Sequence, residues 1–409
     1  MLFAALLIVL LAVNVYATYA IFTSQFPGAN DFYSRWSGAR SFWLEGLDPY
    51  GDEASLAIQI GIYGRPVVEG EDPGYFAYPL YTVFLIAPLA PLPYAWAEAI
   101  WIVILEAALI GAMLLLADLF GWRPPLWLMA ASLVWTLLFY PATRGLFLGQ
   151  PGLAVYFFEV LALWALARGH GALAGAALAL STIKPQMGFL VVPALLLWGL
   201  WARRWRFVAA FAGVWGVLMA LSFLALPSWF GSWLDQLAQY PSYTAIGSPL
   251  WVLTHLYLTF LGPTGEGAIT VVLLILLAWV WWGQFRRGRD FLWVVCLTLT
   301  ITHLVALRTA TPHFVVFIIP LVFYFKVLTS ADRRRGSWAV LLIEAALFVG
   351  MWALFLTTVQ GRFEHPIVYL PLPFGMLLLL LATRKLWRDR APRVVGQLAG
   401  ARAPAERAG

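Results

Sequence analysis

The chain has 409 residues, of which 62% are hydrophobic and only 11% are charged. Soluble domains are about 45–50% apolar and about 25% charged, so this composition excludes a soluble globular protein and indicates a polytopic membrane protein. The single cysteine, Cys296, excludes a disulfide framework and a cysteine-based metal site. The net charge of +6 comes from Lys and Arg residues in short turns between apolar segments, so we expect membrane lipids and no nucleic acid as partners.

The chain begins with an apolar segment at residues 2–22, which has no charged n-region and is interpreted as a retained first span. The loop 23–75 that follows is rich in Asp and Glu, which predicts that it lies on the extracytoplasmic side. Within this loop, aromatic residues spaced by three and four over 31–45 predict an interfacial amphipathic helix. The proline in LDPYG is expected to end that helix, because the residue before a proline disfavours helical geometry.

The remainder of the chain is a series of apolar segments, of which about 20 residues each suffice to cross a bilayer. They lie at 76–92, 95–117, 126–142, 151–167, 171–187, 188–202, 207–226, 250–261 (the weakest), 267–284, 290–307, 312–328, 338–358 and 367–382. The pattern predicts an all-α membrane helix bundle with about 11–13 transmembrane segments. We expect one integral membrane domain over residues 1–390 and a disordered cytoplasmic tail over 391–409, which has little to bury.

Basic turns orient this bundle. Arginines recur at 203–206, 286–289 and 333–335 and in the tail from Arg384. If 250–261 does not cross the membrane, even numbers of spans separate these clusters, which places them all on one side. Because basic turns favour the cytoplasm, that side is predicted to be cytoplasmic. The loop 360–366 then lies on the opposite face, where Arg362, Glu364 and His365 are expected to be solvated. Counted backwards from these cytoplasmic turns, six full spans in the first half of the chain would place loop 23–75 in the cytoplasm, against the prediction from its acidic residues. One segment must therefore be re-entrant, either 76–92 or the turn at 144–152.

Two ionisable residues stand out as candidates for chemistry. Asp31 precedes the predicted amphipathic helix, where it can act as a helix N-cap or as a general base at the bilayer surface, and the two roles are compatible. Lys184 lies within an apolar segment directly before a proline. Such a lysine either extends to the membrane interface or holds a phosphate at the membrane boundary.

A second group of polar residues falls on the same predicted face. Arg308, His303 and His313 lie between two late spans, where Arg can bind phosphate in a bidentate manner and His can bond a phosphate or a sugar. Arg144 and Gln150 flank the FLG turn, although Gln150 is equally well interpreted as a turn-stabilising amide. No DxD pair, P-loop, dinucleotide fingerprint or His-rich metal pattern occurs in a suitable context, so no metal and no cofactor are expected.

The order of several stretches resembles the GT-C fold glycosyltransferases that use polyprenyl-phosphate sugars, and more closely glycosyltransferase family 87. These stretches are DFYSRWSGARSFWLEGLDPYG, FAYPLYTVFLIAPLAPLP, FLGQPGLAVYFFEVLALWALARG and ALAGAALALSTIKPQMGFLVVPALLL, with weaker matches in IGSPLWVLTHLYL and TATPHFVVFIIPL. The resemblance covers roughly residues 1–330. The chain departs from the family pattern at Leu80, where the family has the second proline of Tyr-Pro-Pro, and before Pro312, where the family has a serine.

The resemblance implies a membrane glycosyltransferase that moves a sugar, such as mannose, from a polyprenyl-phosphate donor to a lipid or glycan acceptor. It implies inversion at the sugar carbon without a metal, on the extracytoplasmic side of a bacterial plasma membrane. By this resemblance Asp31 corresponds to the catalytic aspartate, His313 to a histidine near the donor and Lys184 to a recurring Lys-Pro, while Tyr78 joins the substrate-binding residues.

Two other functions compete with this interpretation. A lipid-linked glycan transporter or flippase would place charges at mid-membrane and show related halves with broken helices, whereas most ionisable groups here lie at span ends. A surface-glycan ligase would need a large outer loop late in the chain, and the stretch 227–249 is short and contains no basic residue.

Overall fold

The computed structural model describes residues 2–28, 30–68, 71–243, 246–288, 290–361, 363–392 and 394, and within them it is helical with no β-strand. The α-helices are α1 (Leu2–Thr18), α2 (Asn30–Arg40), α3 (Asp52–Tyr63), α4 (Thr82–Ile86), α5 (Tyr94–Phe120), α6 (Leu126–Leu138), α7 (Tyr140–Phe147), α8 (Gly152–Ala167), α9 (Gly171–Leu180), α10 (Pro185–Gly188), α11 (Val191–Trp201), α12 (Trp205–Ala225), α13 (Trp229–Tyr243), α14 (Pro249–Val252), α15 (Gly262–Arg287), α16 (Phe291–Val305), α17 (Ile318–Ala331), α18 (Arg333–Thr358), α19 (Pro371–Ala382) and α20 (Arg384–Arg390). Single 3₁₀ or π turns extend several of them, at Tyr19–Thr23, Ser41–Glu45, Ala87–Leu89, Ser181–Ile183, Leu253–Tyr257, Thr311–Phe317 and Pro366–Tyr369. The predicted all-α membrane bundle is confirmed, while most of the tail predicted to be disordered lies outside the described residues.

The helices differ in whether their length and composition suit a membrane crossing. Among the described residues, six helices are long and apolar enough to cross a membrane, and the number rises to eight if each of two sharply bent helix pairs is one span. The apolar helices α8, α9, α11 and α16 have only 10–17 residues, even with their 3₁₀ extensions. At 1.5 Å per residue they are shorter than the hydrocarbon core of about 30 Å. Length and composition alone therefore support six to eight spans among the described residues, and the number of 11–13 stays a prediction.

Residues 76–92 do not form a span. This stretch contains only the five-residue helix α4 and one 3₁₀ turn, because prolines interrupt it repeatedly. The neighbouring helices α1 and α5 are antiparallel: the Tyr19 and Trp96 rings stack at 3.7 Å, and the Thr23 hydroxyl donates to the Ala95 carbonyl oxygen at 2.7 Å. The chain therefore leaves α1 and enters α5 at the same face. Of the two segments that sequence parity allowed to be re-entrant, 76–92 is the one that does not cross.

The ends of the helices define two opposite faces. We call one the arginine face, because Arg168 pairs there with Asp118 and Arg384 pairs with Asp290 at 3.1 Å. At the same face the C-terminal ends of α5 and α17 are joined by a 3.1 Å hydrogen bond from the Trp122 indole to the Thr329 hydroxyl. The other ends of these helices, together with the described residues between Ser24 and Pro93, form what we call the site face.

The stretch α9 to α12 shows how small residues set this packing. A Cβ on Gly175 would overlap the Phe207 carbonyl oxygen, and one on Gly199 would lie 2.7 Å from the Phe207 ring. Both α9 and α11 thus approach α12 closely near its N-terminal end, as the Gly- and Ala-rich sequence of α9 predicts. The chain from α9 to α11 is therefore a hairpin. Its two open ends lie at the arginine face, and its tip points towards the site face.

Candidate active site

Asp31 lies in the first turn of α2, on the site face. The predicted helix is confirmed here, and its aromatic residues turn inwards onto the protein: the Phe32 ring stacks on Trp101 at 5.0 Å, and the Trp36 indole donates to the Leu89 carbonyl oxygen at 3.0 Å. The α2 helix is consequently buried along most of its length by α5 and the loop before it. This burial fixes the position of the Asp31 carboxylate, which points away from the arginine face.

Gln150 connects Asp31 to Lys184. The Gln150 amide nitrogen donates to the Asp31 carboxylate at 2.7 Å, while its amide oxygen accepts from the Lys184 ammonium group and from the Tyr78 hydroxyl, the latter at 3.3 Å. The side chains of Gln150 and Lys184 are both nearly inaccessible, with 4% of their surface exposed. An amide donates through nitrogen and accepts through oxygen, so these partners fix its orientation. The Gln150 side chain thus connects the Asp31 carboxylate to the Lys184 ammonium group.

Lys184 occupies the tip of the hairpin formed by α9 and α11. The preceding 3₁₀ turn ends at Ile183, and the Lys184 backbone adopts φ −128° and ψ 83°, since Pro185 disfavours the α-helical region in the residue before it. The leg from Gly171 to Ile183 has 13 residues, which corresponds to about 20 Å of helix. The lysine predicted from sequence therefore lies at a helix break, directed towards the site face.

Arg35 is a site residue that the sequence reasoning missed. Its guanidinium carbon lies 4.2 Å from the centre of the Tyr78 ring, and the Lys184 nitrogen lies 5.7 Å from the same centre. Two cations thus lie against one aromatic ring. The Nε atom of Arg35 is buried without a hydrogen-bond partner among the described residues. The spacing from Asp31 was the available signal, because residues four apart share a helix face.

Tyr78 is held by an unusual piece of backbone. The residue before it, Ala77, has φ 49°, a left-handed conformation that residues with side chains rarely adopt. Gln236 of α13 supports this turn by accepting from the Ala77 backbone nitrogen at 2.9 Å and donating to the Tyr50 carbonyl oxygen at 3.1 Å. The Tyr50 hydroxyl donates to the Tyr78 carbonyl oxygen at 2.6 Å, and burial raises the pKa of this hydroxyl far above its usual value, so it stays a neutral donor. Strain of this kind is concentrated at functional sites.

The two predicted histidines lie behind this cluster. The ring of His313 packs against Gly152, where a Cβ would lie 3.1 Å from its Cδ2 atom. Its Nδ1 accepts from the Ala310 backbone nitrogen at 3.2 Å, which leaves Nε2 to carry the proton, and this Nε2 is buried without a partner among the described residues. His303 lies deeper still, with its ring centre 6.3 Å from that of His313 and its Nδ1 bonded to the Leu299 carbonyl oxygen at 2.9 Å.

The predicted arginines have other partners. Arg308 donates to the Pro241 carbonyl oxygen at 3.1 Å, beside α13. Arg144 faces the Glu364 carboxylate at 3.5 Å, and this carboxylate also accepts from the Thr311 hydroxyl at 2.6 Å and from Tyr140. The expectation that the loop around Glu364 is solvated was therefore wrong for this residue, whose side chain is 8% exposed. His365 accepts from the Ile367 backbone nitrogen at 3.3 Å as a helix cap, and Arg362 lies outside the described residues.

A polar cavity of about 110 Å³ borders Asp31 on the side of α2 and α3. Its walls carry side chains that can bond hydroxyl groups, namely Asn30, Asp31, Ser34, Arg35, Tyr63, Asp72 and Tyr75. Asp48, the other carboxylate considered from sequence, instead accepts from the Tyr50 backbone nitrogen at 2.8 Å, as expected of an Asp-Pro turn. Within the described part of the chain, no group of three or more His, Cys, Asp or Glu residues is placed to hold a metal ion.

A comparison with known protein families found a match. The sequence model of glycosyltransferase family 87 matches residues 76–307, which is more than half of the chain. The chain belongs to glycosyltransferase family 87. The matched segment includes Tyr78, Gln150 and Lys184, whereas Asp31 and His313 lie outside it. No curated protein and no solved structure matches the chain.

Membership of this family makes the protein a glycosyltransferase, and its apolar helices make it an integral membrane protein. A sugar donor, an acceptor and membrane lipids follow as its partners.

Proposed function

We propose that this glycosyltransferase moves a sugar, mannose in the first instance, from a polyprenyl-phosphate donor to a hydroxyl group of a lipid or glycan acceptor. The observation that carries the proposal is the hydrogen-bonded connection from Asp31 through Gln150 to Lys184, with Arg35 beside it on the Tyr78 ring. One carboxylate can serve as a base, and two neighbouring cations can hold a phosphate. A lipid-linked sugar phosphate presents both an anion and a displaceable group to such a site.

The reaction requires that a proton leave the acceptor hydroxyl while negative charge develops on the departing phosphate. The acceptor oxygen attacks the sugar carbon while its proton passes to the Asp31 carboxylate, which acts as general base. The bond between that carbon and the phosphate oxygen breaks, and the electron pair leaves with the phosphate. Lys184 and Arg35 stabilise the charge that develops on it, in surroundings where water is largely excluded. Attack from the side opposite the leaving group inverts the sugar carbon, and the cations supply the charge stabilisation without a metal.

The other predicted residues have supporting roles in this proposal. The cavity beside Asp31 admits the acceptor hydroxyl, since it is small, polar and bordered by that carboxylate. His313 and His303 line the buried wall behind Gln150. Arg144 and Arg308 hold the surrounding helices and contact the donor only at its periphery.

The arginine face is proposed to be cytoplasmic, because basic turns accumulate on that side of membrane proteins. The site face is then extracytoplasmic in a bacterial plasma membrane, where a lipid-linked donor is required. The chain offers a clean test, because its single cysteine is buried in α16. In a Cys296→Ser background, an impermeant maleimide added to whole cells should label Glu45→Cys on the site face and spare Arg334→Cys on the arginine face. The reverse pattern contradicts the orientation.

The activity itself is tested by incubating the purified protein with synthetic polyprenyl-phosphate-mannose and candidate acceptors and measuring release of polyprenyl phosphate. Asp31→Asn keeps the shape and an acceptor for Gln150 but removes the base, so we expect transfer to fall about a thousandfold while the free energy of unfolding falls by only about 1 kcal/mol, through one weakened hydrogen bond. Asp52→Asn is the matched control, since Asp52 is exposed in the same segment. Transfer by Asp31→Asn at the rate of the control would refute the role of Asp31.

A further inference from the structure

A second cavity lies on the arginine face, far from Asp31. It has a volume of about 460 Å³ and adjoins another of about 480 Å³, with Gly169, Gly171 and Arg206 lining both. The charged residues of its lining are Arg203 and Arg204, from the turn between α11 and α12, and Arg206, from the first turn of α12. Among the described residues that line the two cavities, none has an acidic side chain.

Arg203 and Arg204 follow the C-terminus of α11, where positive charge is favourable, but Arg206 lies in the first turn of α12, where it is unfavourable. The N-terminal end of a helix carries a partial positive charge, so anions stabilise it and cations destabilise it. The first turn of α12 has no acidic residue, and its N-cap residue is Arg204, whose side chain makes no capping bond. The N-terminus of α9 opens into the same cavity, also without a side-chain cap. Two sets of backbone N–H groups therefore converge with three arginines, and such groups bind anions readily.

At two other helix N-termini on this face, an arginine pairs with an acid. Arg335, in the first turn of α18, lies 3.9 Å from Asp332, which also caps that helix. Arg384, which begins α20, pairs with Asp290. Among the described residues, neither Arg203 nor Arg206 has a carboxylate within ion-pairing distance. The preference for positive charge on the cytoplasmic side explains why arginines occur at this cavity. It does not explain why Arg203 and Arg206 lack an acidic partner among the described residues.

The surroundings of the cavity identify the kind of anion. The exposed side chains of Leu197 and Trp201 lie on α11 just before the turn, and Trp205 and Leu173 are exposed beside it. An anion in the cavity would therefore be continuous with an apolar surface that faces the lipid chains. Tryptophan is also typical of the headgroup level of a membrane. These features suit a lipid phosphate better than a free phosphate ion.

We propose that this cavity binds the phosphate headgroup of an anionic membrane lipid, with Arg203 and Arg206 contacting the phosphate and α11 contacting the acyl chains. The bound lipid contacts both open ends of the hairpin that carries Lys184 and also the start of α12, and so holds these segments together. It therefore stabilises the hairpin without taking part in sugar transfer. This inference does not depend on the identity of the donor or on the role of Asp31.

The test measures thermal unfolding of delipidated protein in detergent and lipid binding by native mass spectrometry, with phosphatidylglycerol, phosphatidylcholine and inorganic phosphate as separate additives. We expect phosphatidylglycerol to raise the melting temperature in a saturable way and to remain bound in the mass spectrum, while phosphatidylcholine and inorganic phosphate do neither. Equal effects of the two lipids, or the full effect from inorganic phosphate, would overturn the proposal.

Arg206→Gln and its control Arg334→Gln sharpen this test, because both arginines occupy the second position of a helix on the same face. Arg206→Gln should weaken phosphatidylglycerol binding at least fivefold, whereas Arg334→Gln should not change it. Without lipid, the melting temperature of Arg206→Gln should equal or exceed that of the unmodified protein, since a cation leaves a helix N-terminus. A lower lipid-free melting temperature, or unchanged binding, would contradict the proposal.

Discussion

The carboxylate of Glu364 offers a quantitative test of how the site is held together. It receives hydrogen bonds from Thr311 and Tyr140 on the same oxygen and faces Arg144 at 3.5 Å. Thr311 begins the 3₁₀ turn that carries His313, and Tyr140 begins α7, which leads to the turn before Gln150. Glu364 thus connects two walls of the candidate active site without contacting Asp31 or Lys184. It is a positioning residue.

The expected cost of removing this carboxylate follows from its partners. Hydrogen bonds to a charged group contribute about 1.5–3 kcal/mol, and those between neutral groups about 0.5–1.5 kcal/mol. Glu364→Gln keeps an oxygen for both hydroxyl donors, so each bond weakens by about 1 kcal/mol, and the free energy of unfolding falls by about 2 kcal/mol. Glu364→Ala removes the acceptor and leaves Arg144 unpaired. Breaking a buried pair costs about 3–5 kcal/mol, and the Arg144 side chain is 28% exposed, so we expect about 3 kcal/mol.

The assay is unfolding of the purified protein in mixed micelles by titration with a denaturing detergent, followed by tryptophan fluorescence. Glu45→Gln is the matched control on the same face, because Glu45 is exposed, and it should change the free energy of unfolding by less than about 0.5 kcal/mol. A double-mutant cycle with Thr311→Val should give a coupling of about 1 kcal/mol or more. If Glu364→Gln behaves like the control, or if the cycle is additive, the proposed network does not stabilise the fold.

Two further substitutions test the packing around Gln150. Gln150→Leu removes the buried acceptor of Lys184, which should lower the free energy of unfolding by about 1.5–3 kcal/mol and abolish transfer, and full activity would contradict the connection. Gly152→Ala places a Cβ 3.0 Å from the Met187 Sδ atom and 3.1 Å from the His313 Cδ2 atom, and this crowding from two sides should cost about 1–3 kcal/mol in the same unfolding assay. Gly213→Ala, where a Cβ meets nothing within 4 Å, should instead stabilise α12 by about 0.5–1 kcal/mol, and equal effects of the two would show that crowding at Gly152 is not the cause.

Much of the candidate site could be predicted from sequence, one residue at a time. Asp31, Gln150 and Lys184 stood out because an ionisable or amide group within a very apolar chain is conspicuous wherever it occurs. Arg35 was missed although its spacing from Asp31 is a local signal. Glu364 was misassigned for a different reason, since its neighbours suggested a solvated loop and its partners are distant in the chain.

The sequence by itself determined that this protein is an all-α membrane bundle whose short basic turns join apolar segments. Those properties depend on local composition, because the membrane accepts each apolar segment and excludes each basic turn independently of the rest of the chain. Only the tertiary structure decided which segments are long enough to cross, since that depends on where prolines and glycines break the helices. It also decided that Gln150 meets Asp31 across 119 positions of the chain. Contacts of that kind arise when helices pack, and no local pattern in the chain specifies them.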